Sequence, residues 1–428
     1  MINFGQTCNT SGYFWRPDLP AEKHIGTLDF STQNGIQLTL MEYVSNGCIS
    51  KCALFPDHLC LYGYVLGLGY ITLCGCHSQG AISDISIDSY YSELFFVDCM
   101  IVGICADTLN VNGISFYFPE LAYMIDEKPL EFKVVSKKPV VDEKLQDDLI
   151  IRINPNFRNQ INIDSTGLLA DAKNTCFMQS DYYLEVAGKK EKLFYYLQQK
   201  YNLEKLFSIL CNRQVRSLYT FIKIDDAEYQ LIYKIQANGL NIPPKSQLPV
   251  TIENIKGKFP FIWGKWQELL KYDLVDRYIV ERFYNLVSSG TLQYCLLIPM
   301  IEAWQLKHSH NTDKYENYFE ESLFGNDDFC KKITQELFNC TNTSSFKELG
   351  CAISDIRNLI LHTDTISENH RIRKKYKHFL NDNNLMEYFC DLICLVVSKR
   401  FYNELELEQT DNQKNNLLNY CNRTFYFR

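Results

Sequence analysis

The sequence predicts an α+β multidomain chain, with a β-rich N-terminal region followed by a C-terminal all-α helical bundle. Three observations carry this reading. At 428 residues the chain exceeds what one hydrophobic core normally supports. In its first part, apolar residues come in short or alternating runs between glycine-bearing turns. Beyond a proline-bearing connector, NIPPKSQLP at 241–249, the periodicity becomes helical almost without interruption. The expected division is 1–250 and 251–428, with candidate subdomains at about 1–125 and 126–250 inside the first part.

The strands are expected in order. GTLDF, GIQLTLMEYV, LCLYGYVLG, YITLCGC, ELFFVDCMIVGI and GISFYF fill the region up to about residue 125. EFKVVSK, DDLIIRINP and DYYLEVAG continue them to residue 188. A helix is expected at KEKLFYYLQQKYNLEKLFSILCN, then two strands at SLYTFIKI and YQLIYKIQ. Leu59 to Ser83 carries no formally charged residue and has the length of a membrane span. Its glycines, tyrosines and clustered β-branched residues read instead as two strands and a turn. No membrane partner is expected.

The helices follow: LVDRYIVERFYNLVSS, TLQYCLLIPMIEAWQLKH, DDFCKKITQELFN, SSFKELGCAISDIRNLILH and NLMEYFCDLICLVVSKRFYNEL. Each has amphipathic or buried spacing.

Charge separates the two parts. Residues 1–127 hold three basic residues (Arg16, Lys23, Lys51) against thirteen acidic ones, a net of −10, while 256–428 holds 22 against 23. Gripping a phosphate backbone depends on cationic side chains that displace counterions, so only the C-terminal part suits nucleic acid. Met1 to Asp18 has neither a basic n-region nor an apolar h-region, and the 17 cysteines include no CxxC pair. A cytoplasmic chain with reduced, mostly buried thiols is therefore expected. Cys74, Cys76 and His77 have no second ligand pair at a suitable spacing, so neither a metal nor another cofactor is expected.

The informative motif is RNLILH, residues 357–362. Phe346, Leu349, Ile353, Ile356 and Ile360 step by 3, 4, 3 and 4, forming one apolar stripe. Ser344 or Ser345 suits the helix start, and the helix is expected to end near His362. Arg357 then lies beside the stripe, half-buried. His362 is five residues on, about 140° around an ideal helix, whereas Asn358 and His362 share a face. Convergence of Arg357 with His362 therefore needs a helix end, a bend or a second subunit. Spacing alone is a weak signal, because Arg373 to His378 repeats it within a basic run. On spacing alone, an arginine snorkelling along a bundle and a histidine at a helix C-terminus are the favoured account. What sets Arg357 apart is its context, a polar residue directly after it and a place at the end of a core helix.

With its polar residue directly after the arginine, in the penultimate long helix, this motif resembles the HEPN domains of prokaryotic defence ribonucleases. YFWRPDLPAEKHIGTLDFSTQNGIQLTL, followed by LYGYVLGLGYITLCGC, resembles the opening of the ApeA-type N-terminal domain. The two resemblances come in the family's order and cover most of the chain, with 128–250 alike only in general pattern.

The resemblance implies an anti-phage, abortive-infection RNA endonuclease with a HEPN-type bundle. In such enzymes the substrate's own 2′-OH attacks phosphorus without a metal, leaving a 2′,3′-cyclic phosphate and a 5′-OH. Its catalytic residues here would be Arg357, His362, Asn358 and Glu302. His362 titrates near cytosolic pH and moves protons; Arg357 stabilises the charged phosphorane; Asn358 orients or contacts; Glu302 tunes. Dependence on the 2′-OH makes RNA the target, with tRNA in keeping with related nucleases. Arg371, Arg373, Lys374, Lys375 and Lys377, in HRIRKKYKH, form the candidate RNA-contacting strip. The family also implies a homodimer or larger homo-oligomer through the helical domain. It further implies restraint by the N-terminal domain and a phage-encoded protein trigger acting there. Two alternatives stand beside this. One is a non-catalytic HEPN-type module that dimerises or binds a nucleotide, with the β-rich domain as the ligand-binding unit. The other is a carbohydrate- or protein-binding β-domain as the main functional unit.

Overall fold

The computed structural model describes residues 7–31, 34–41, 51–52, 55–83, 91–106, 109–125, 139–156, 181–234, 248–284, 290–291, 293–299, 328–361, 371–409 and 413–414. Its β-rich region contains β1 (Thr7–Trp15), β2 (His24–Ser31), β3 (Gly35–Leu40), β4 (Lys51–Cys52) and β5 (Phe55–Val65). These are followed by β6 (Gly69–Ser83), β7 (Tyr91–Val102), β8 (Asn110–Tyr117), β9 (Val141–Lys144) and β10 (Ile150–Asn156). β11 (Asp181–Lys192), β12 (Tyr219–Ile224) and β13 (Ala227–Tyr233) complete it. The short helix α1 (Pro119–Met124) follows β8, and α2 (Leu193–Cys211) follows β11.

These strands form one antiparallel sheet in the order β3-β2-β1-β5-β6-β7-β13-β12-β8-β11-β10-β9, with β4 on β5. β3 also pairs with β7, Ile36 opposite Val97, which closes β1, β2, β3, β7, β6 and β5 into a six-stranded barrel. The length of β7 permits this. Its first half takes β3, while Cys99 to Val102 take β13.

The barrel closes because alternate residues point inward. Phe14, Leu28, Leu38, Val65, Ile71, Leu73 and Met100 are fully buried in one cluster. Close packing of the ring requires glycine at particular positions. A Cβ on Gly63 would stand 2.9 Å from the Phe14 ring, and one on Gly12 would stand 2.6 Å from the Tyr64 carbonyl oxygen. The uncharged run from Leu59 to Ser83 is the β5–β6 hairpin, turning between Val65 and Gly69. EFKVVSK lies outside the described residues.

The chain divides into two compact units: Met1–Ala122, Glu127–Glu204 and Arg216–Ile242 in one, Tyr123–Asp126, Lys205–Val215 and Pro243–Arg428 in the other. The second unit is helical. It holds α3 (Ile252–Ile255), α4 (Phe259–Leu270) and α5 (Asp273–Ile279), which runs into a π-helical turn at Val280–Tyr284. Helical residues 293–299 precede α6 (Asp328–Thr341), α7 (Phe346–Leu361), α8 (Arg371–Lys375), α9 (Lys377–Asn381) and α10 (Asn383–Glu404).

α10 is its central element, with Phe389, Leu392, Leu395 and Phe401 fully buried. Residues 205–215 join this unit through side-chain chemistry. Phe207 stacks on Phe259 at 6.4 Å, the Tyr402 hydroxyl donates to the Ile209 carbonyl at 2.7 Å, and Tyr284 donates to the Val215 carbonyl at 3.0 Å. Among the described residues, no helix is long and apolar enough to cross a membrane.

Candidate functional site

The site is built on α7. Ser345 Oγ accepts from the Glu348 amide at 3.3 Å, satisfying one of the free N–H groups at the helix start. The Glu348 carboxylate in turn accepts from both the amide and the hydroxyl of Ser344, each at 2.7 Å. Those two bonds hold the Glu348 carboxyl below its ordinary range. The expected stripe is present and wider than five residues. Leu349, Ile353 and Ile356 are fully buried and are joined by Ala352 and Leu359, while Phe346 and Ile360 are half-buried.

This burial fixes the rotation of the last turns. Arg357 is half-buried beside the stripe, and Asn358 and Leu361 are exposed. The described part of the helix runs to Leu361. His362 and Glu302 lie outside the described residues. The structure thus places Arg357 and Asn358 in the last described turns of α7.

Two residues missed by sequence reading steady this end. Buried Tyr294 donates to the Ile353 carbonyl at 2.9 Å. In α-helical geometry that carbonyl also accepts from the Arg357 amide, four residues on. Its neighbour Cys295 is a half-buried thiol pushed up by burial, against which the Arg357 charge pulls down. The signal for both was the charge-free run LQYCLLIPMI, which marks a helix enclosed by others.

The basic strip forms two short helices, α8 and α9, joined at Tyr376. The Tyr376 ring is fully buried, and α8 packs beside α7. Lys375 stands 4.9 Å over the Tyr376 ring. The lysine is pushed up chiefly by the Tyr376 side chain, against burial, with the negative charges of Asp355 and Glu348 adding lesser upward effects. Arg371, Lys374, Lys375 and Lys377 are exposed and Arg373 is half-buried. The competing Arg373–His378 spacing has a structural explanation, since the His378 ring nitrogen bonds the Cys340 carbonyl of α6 at 3.4 Å.

The sequence sets aside Cys74, Cys76 and His77 as ligands, and the barrel gives the local geometry. Cys76 points into the core, whereas His77 points out to Asp98 at 3.2 Å. Cys74 lies between the thiols of Cys60 and Cys99, whose hydrogen bonds push it well above its ordinary range, with burial adding to the effect. Among the described residues, no group of three or more His, Cys, Asp or Glu is placed to hold a metal ion.

The fold and site together define a two-part protein: a barrel-centred β-domain, then a helical region whose helix α7 carries an arginine beside a basic strip. The model of the ApeA N-terminal domain 1 family matches residues 9–266, and the chain belongs to that family. Membership points to an ApeA-like anti-phage defence protein acting by abortive infection. No curated protein and no solved structure matches the chain.

Proposed function

We propose that this protein is an abortive-infection RNA endonuclease whose helical region is a HEPN-type domain. The observation that carries this is the last described turn of α7. A half-buried Arg357 and an exposed Asn358 sit there, in the helix flanked by the cationic α8 strip, within a chain of the ApeA family. Arg357 supplies a permanent planar cation for the non-bridging oxygens of a phosphorane. His362, which follows Leu361 in the sequence, transfers protons between the attacking 2′-OH and the leaving 5′-oxygen. Asn358 orients the histidine or the phosphate, and Glu302 pairs with the arginine or tunes the histidine.

Arg371, Arg373, Lys374, Lys375 and Lys377 hold the RNA backbone, with tRNA a suitable structured substrate. The reaction needs no metal, because the nucleophile belongs to the substrate. Two copies of the helical domain face one another, so that Arg357 of one protomer and His362 of its partner share a cleft. The β-domain restrains this site until a phage-encoded protein engages it.

The test is RNA cleavage and growth arrest on expression of Arg357→Ala and His362→Ala. Each variant is expected to lose cleavage by at least a hundredfold and to relieve toxicity while retaining its melting temperature. Full cleavage by both would overturn the proposal.

A further inference from the structure

We propose that the outer face of the barrel docks a basic amphipathic helix of a partner protein. The inference rests on the barrel surface and stands apart from the nuclease reading. Tyr13 pairs with Ile25 on one side and with Tyr64 on the other, and Tyr64 pairs with Tyr70. The Met41 amide donates to the Ile25 carbonyl at 2.9 Å, which extends the row. One row of large side chains therefore crosses neighbouring strands at right angles, all facing away from the core: Met41, Ile25, Tyr13, Tyr64, Tyr70. Leu66 flanks it at the hairpin turn, its amide bonded to the Ser11 carbonyl. Each of the six is between 47% and 78% exposed. A contiguous apolar row of this extent marks an interaction surface more often than chance exposure does.

The chemistry of the face selects the occupant. Rungs about 4.8 Å apart match the roughly 5.4 Å pitch at which a helix repeats its apolar residues. Strand addition is unavailable where the row crosses, because Tyr13 pairs there with both β2 and β5 and Tyr64 with both β1 and β6. The Tyr64 and Tyr70 rings meet edge-on at 72° and 5.1 Å, so they offer no coplanar platform for a sugar. Residues 1–127, the segment that supplies all six barrel strands, carry thirteen acidic residues against three basic ones. Two of those three are engaged, Arg16 with Asp18 and Lys23 over the Trp15 ring. That field repels nucleic acid and a second copy of the same face, and it attracts lysine and arginine.

The probe is a fluorescent 18-residue helix of leucine and lysine with leucine at i, i+3, i+4 and i+7, titrated by anisotropy against the intact chain. A scrambled peptide of the same composition is the control. The designed helix is expected to bind at least tenfold more tightly than the scrambled one. The Tyr64→Thr/Tyr70→Thr double variant and, separately, Leu66→Ser are each expected to weaken it at least fivefold without lowering the melting temperature. Leu66→Ser lies on a turn, so it keeps the test alive if the strand variant misfolds. Equal binding of both peptides, unchanged binding by the variants, or no binding would overturn the proposal. So would a dimer in sedimentation velocity that the variants dissociate, or a neutral oligosaccharide that displaces the peptide.

Discussion

Replacing Tyr294 by phenylalanine and by alanine separates two contributions to the positioning of Arg357. The ring is fully buried, 6.2 Å from Phe379 and 5.9 Å from Phe389, and its hydroxyl donates to the Ile353 carbonyl at 2.9 Å. Phenylalanine keeps the ring contacts and deletes one hydrogen bond, to a carbonyl that retains its helical partner. The cost is about 1 kcal/mol, the net value of an ordinary intramolecular bond. Alanine also empties the ring's volume, which costs about 3–5 kcal/mol. For a unit of this size each kcal/mol lowers the melting temperature by about 2–4 °C. The phenylalanine variant should therefore melt about 2–4 °C lower, and the alanine variant roughly 6–20 °C lower. Thermal unfolding of the intact chain gives the totals, and hydrogen exchange in peptides covering Phe346–Leu361 locates the loss. The reasoning fails if alanine melts within 2 °C of the native protein. It also fails if phenylalanine costs as much as alanine.

Three further outcomes follow from the same geometry. Gly12→Ala places a methyl 2.6 Å from a backbone oxygen of β5 and should destabilise the barrel by about 1–3 kcal/mol, whereas Gly67→Ala meets nothing within 4 Å and should cost about 1 kcal/mol through its positive φ alone; denaturant titration distinguishes them. Lys200 and Glu204 form a buried pair at 2.7 Å, with Glu204 also accepting from the Ser217 amide and hydroxyl, so Lys200→Met should cost about 3–5 kcal/mol and the double change with Glu204→Leu should recover part of it, as read from melting curves. Because the Glu348 carboxyl is held low, the start of α7 is more stable above the ordinary glutamate pKa and loses that stability as pH falls through the lowered native value; hydrogen exchange at the first turn between pH 6 and 3 should show this loss, and Glu348→Gln should remove it.

Much of this architecture is legible in the sequence, for identifiable reasons. Period-two alternation marks β2, β3, β5 and β6, and the 3-4-3-4 stripe marks α7 with its capping serine. Both signals are local. The closure of β3 onto β7 is not, since it pairs residues about sixty positions apart and no single strand records it. β1 escaped notice because TCNTSGYFW is polar on its outer face until Tyr13, and glycine stands where a core side chain would otherwise mark the inner one. α4 was hidden in the stretch after the connector, with Pro260 and Gly264 breaking its apparent period, although Trp263 and Trp266 are buried in it. The expected helix through LVDRYIVERFYNLVSS holds as α5 but widens into a π-turn at Val280–Tyr284, where Tyr284 turns to reach Ser208 and Val215. At the candidate site, periodicity places Arg357 half-buried beside the stripe, as the structure has it. It had no means of finding Tyr294, whose role depends on a hydroxyl aimed at another helix.

The most direct measurement is the chemistry of the ends left on RNA. Purified protein, triggered or overexpressed and held in excess chelator, is incubated with structured RNA and with a copy carrying 2′-deoxy sugars at the cut sites. The account predicts 2′,3′-cyclic phosphate and 5′-OH ends, no cutting of the deoxy copy, and loss of both products in Arg357→Ala. Cleavage of the deoxy copy, 5′-phosphate ends, or undiminished cutting by Arg357→Ala would contradict it.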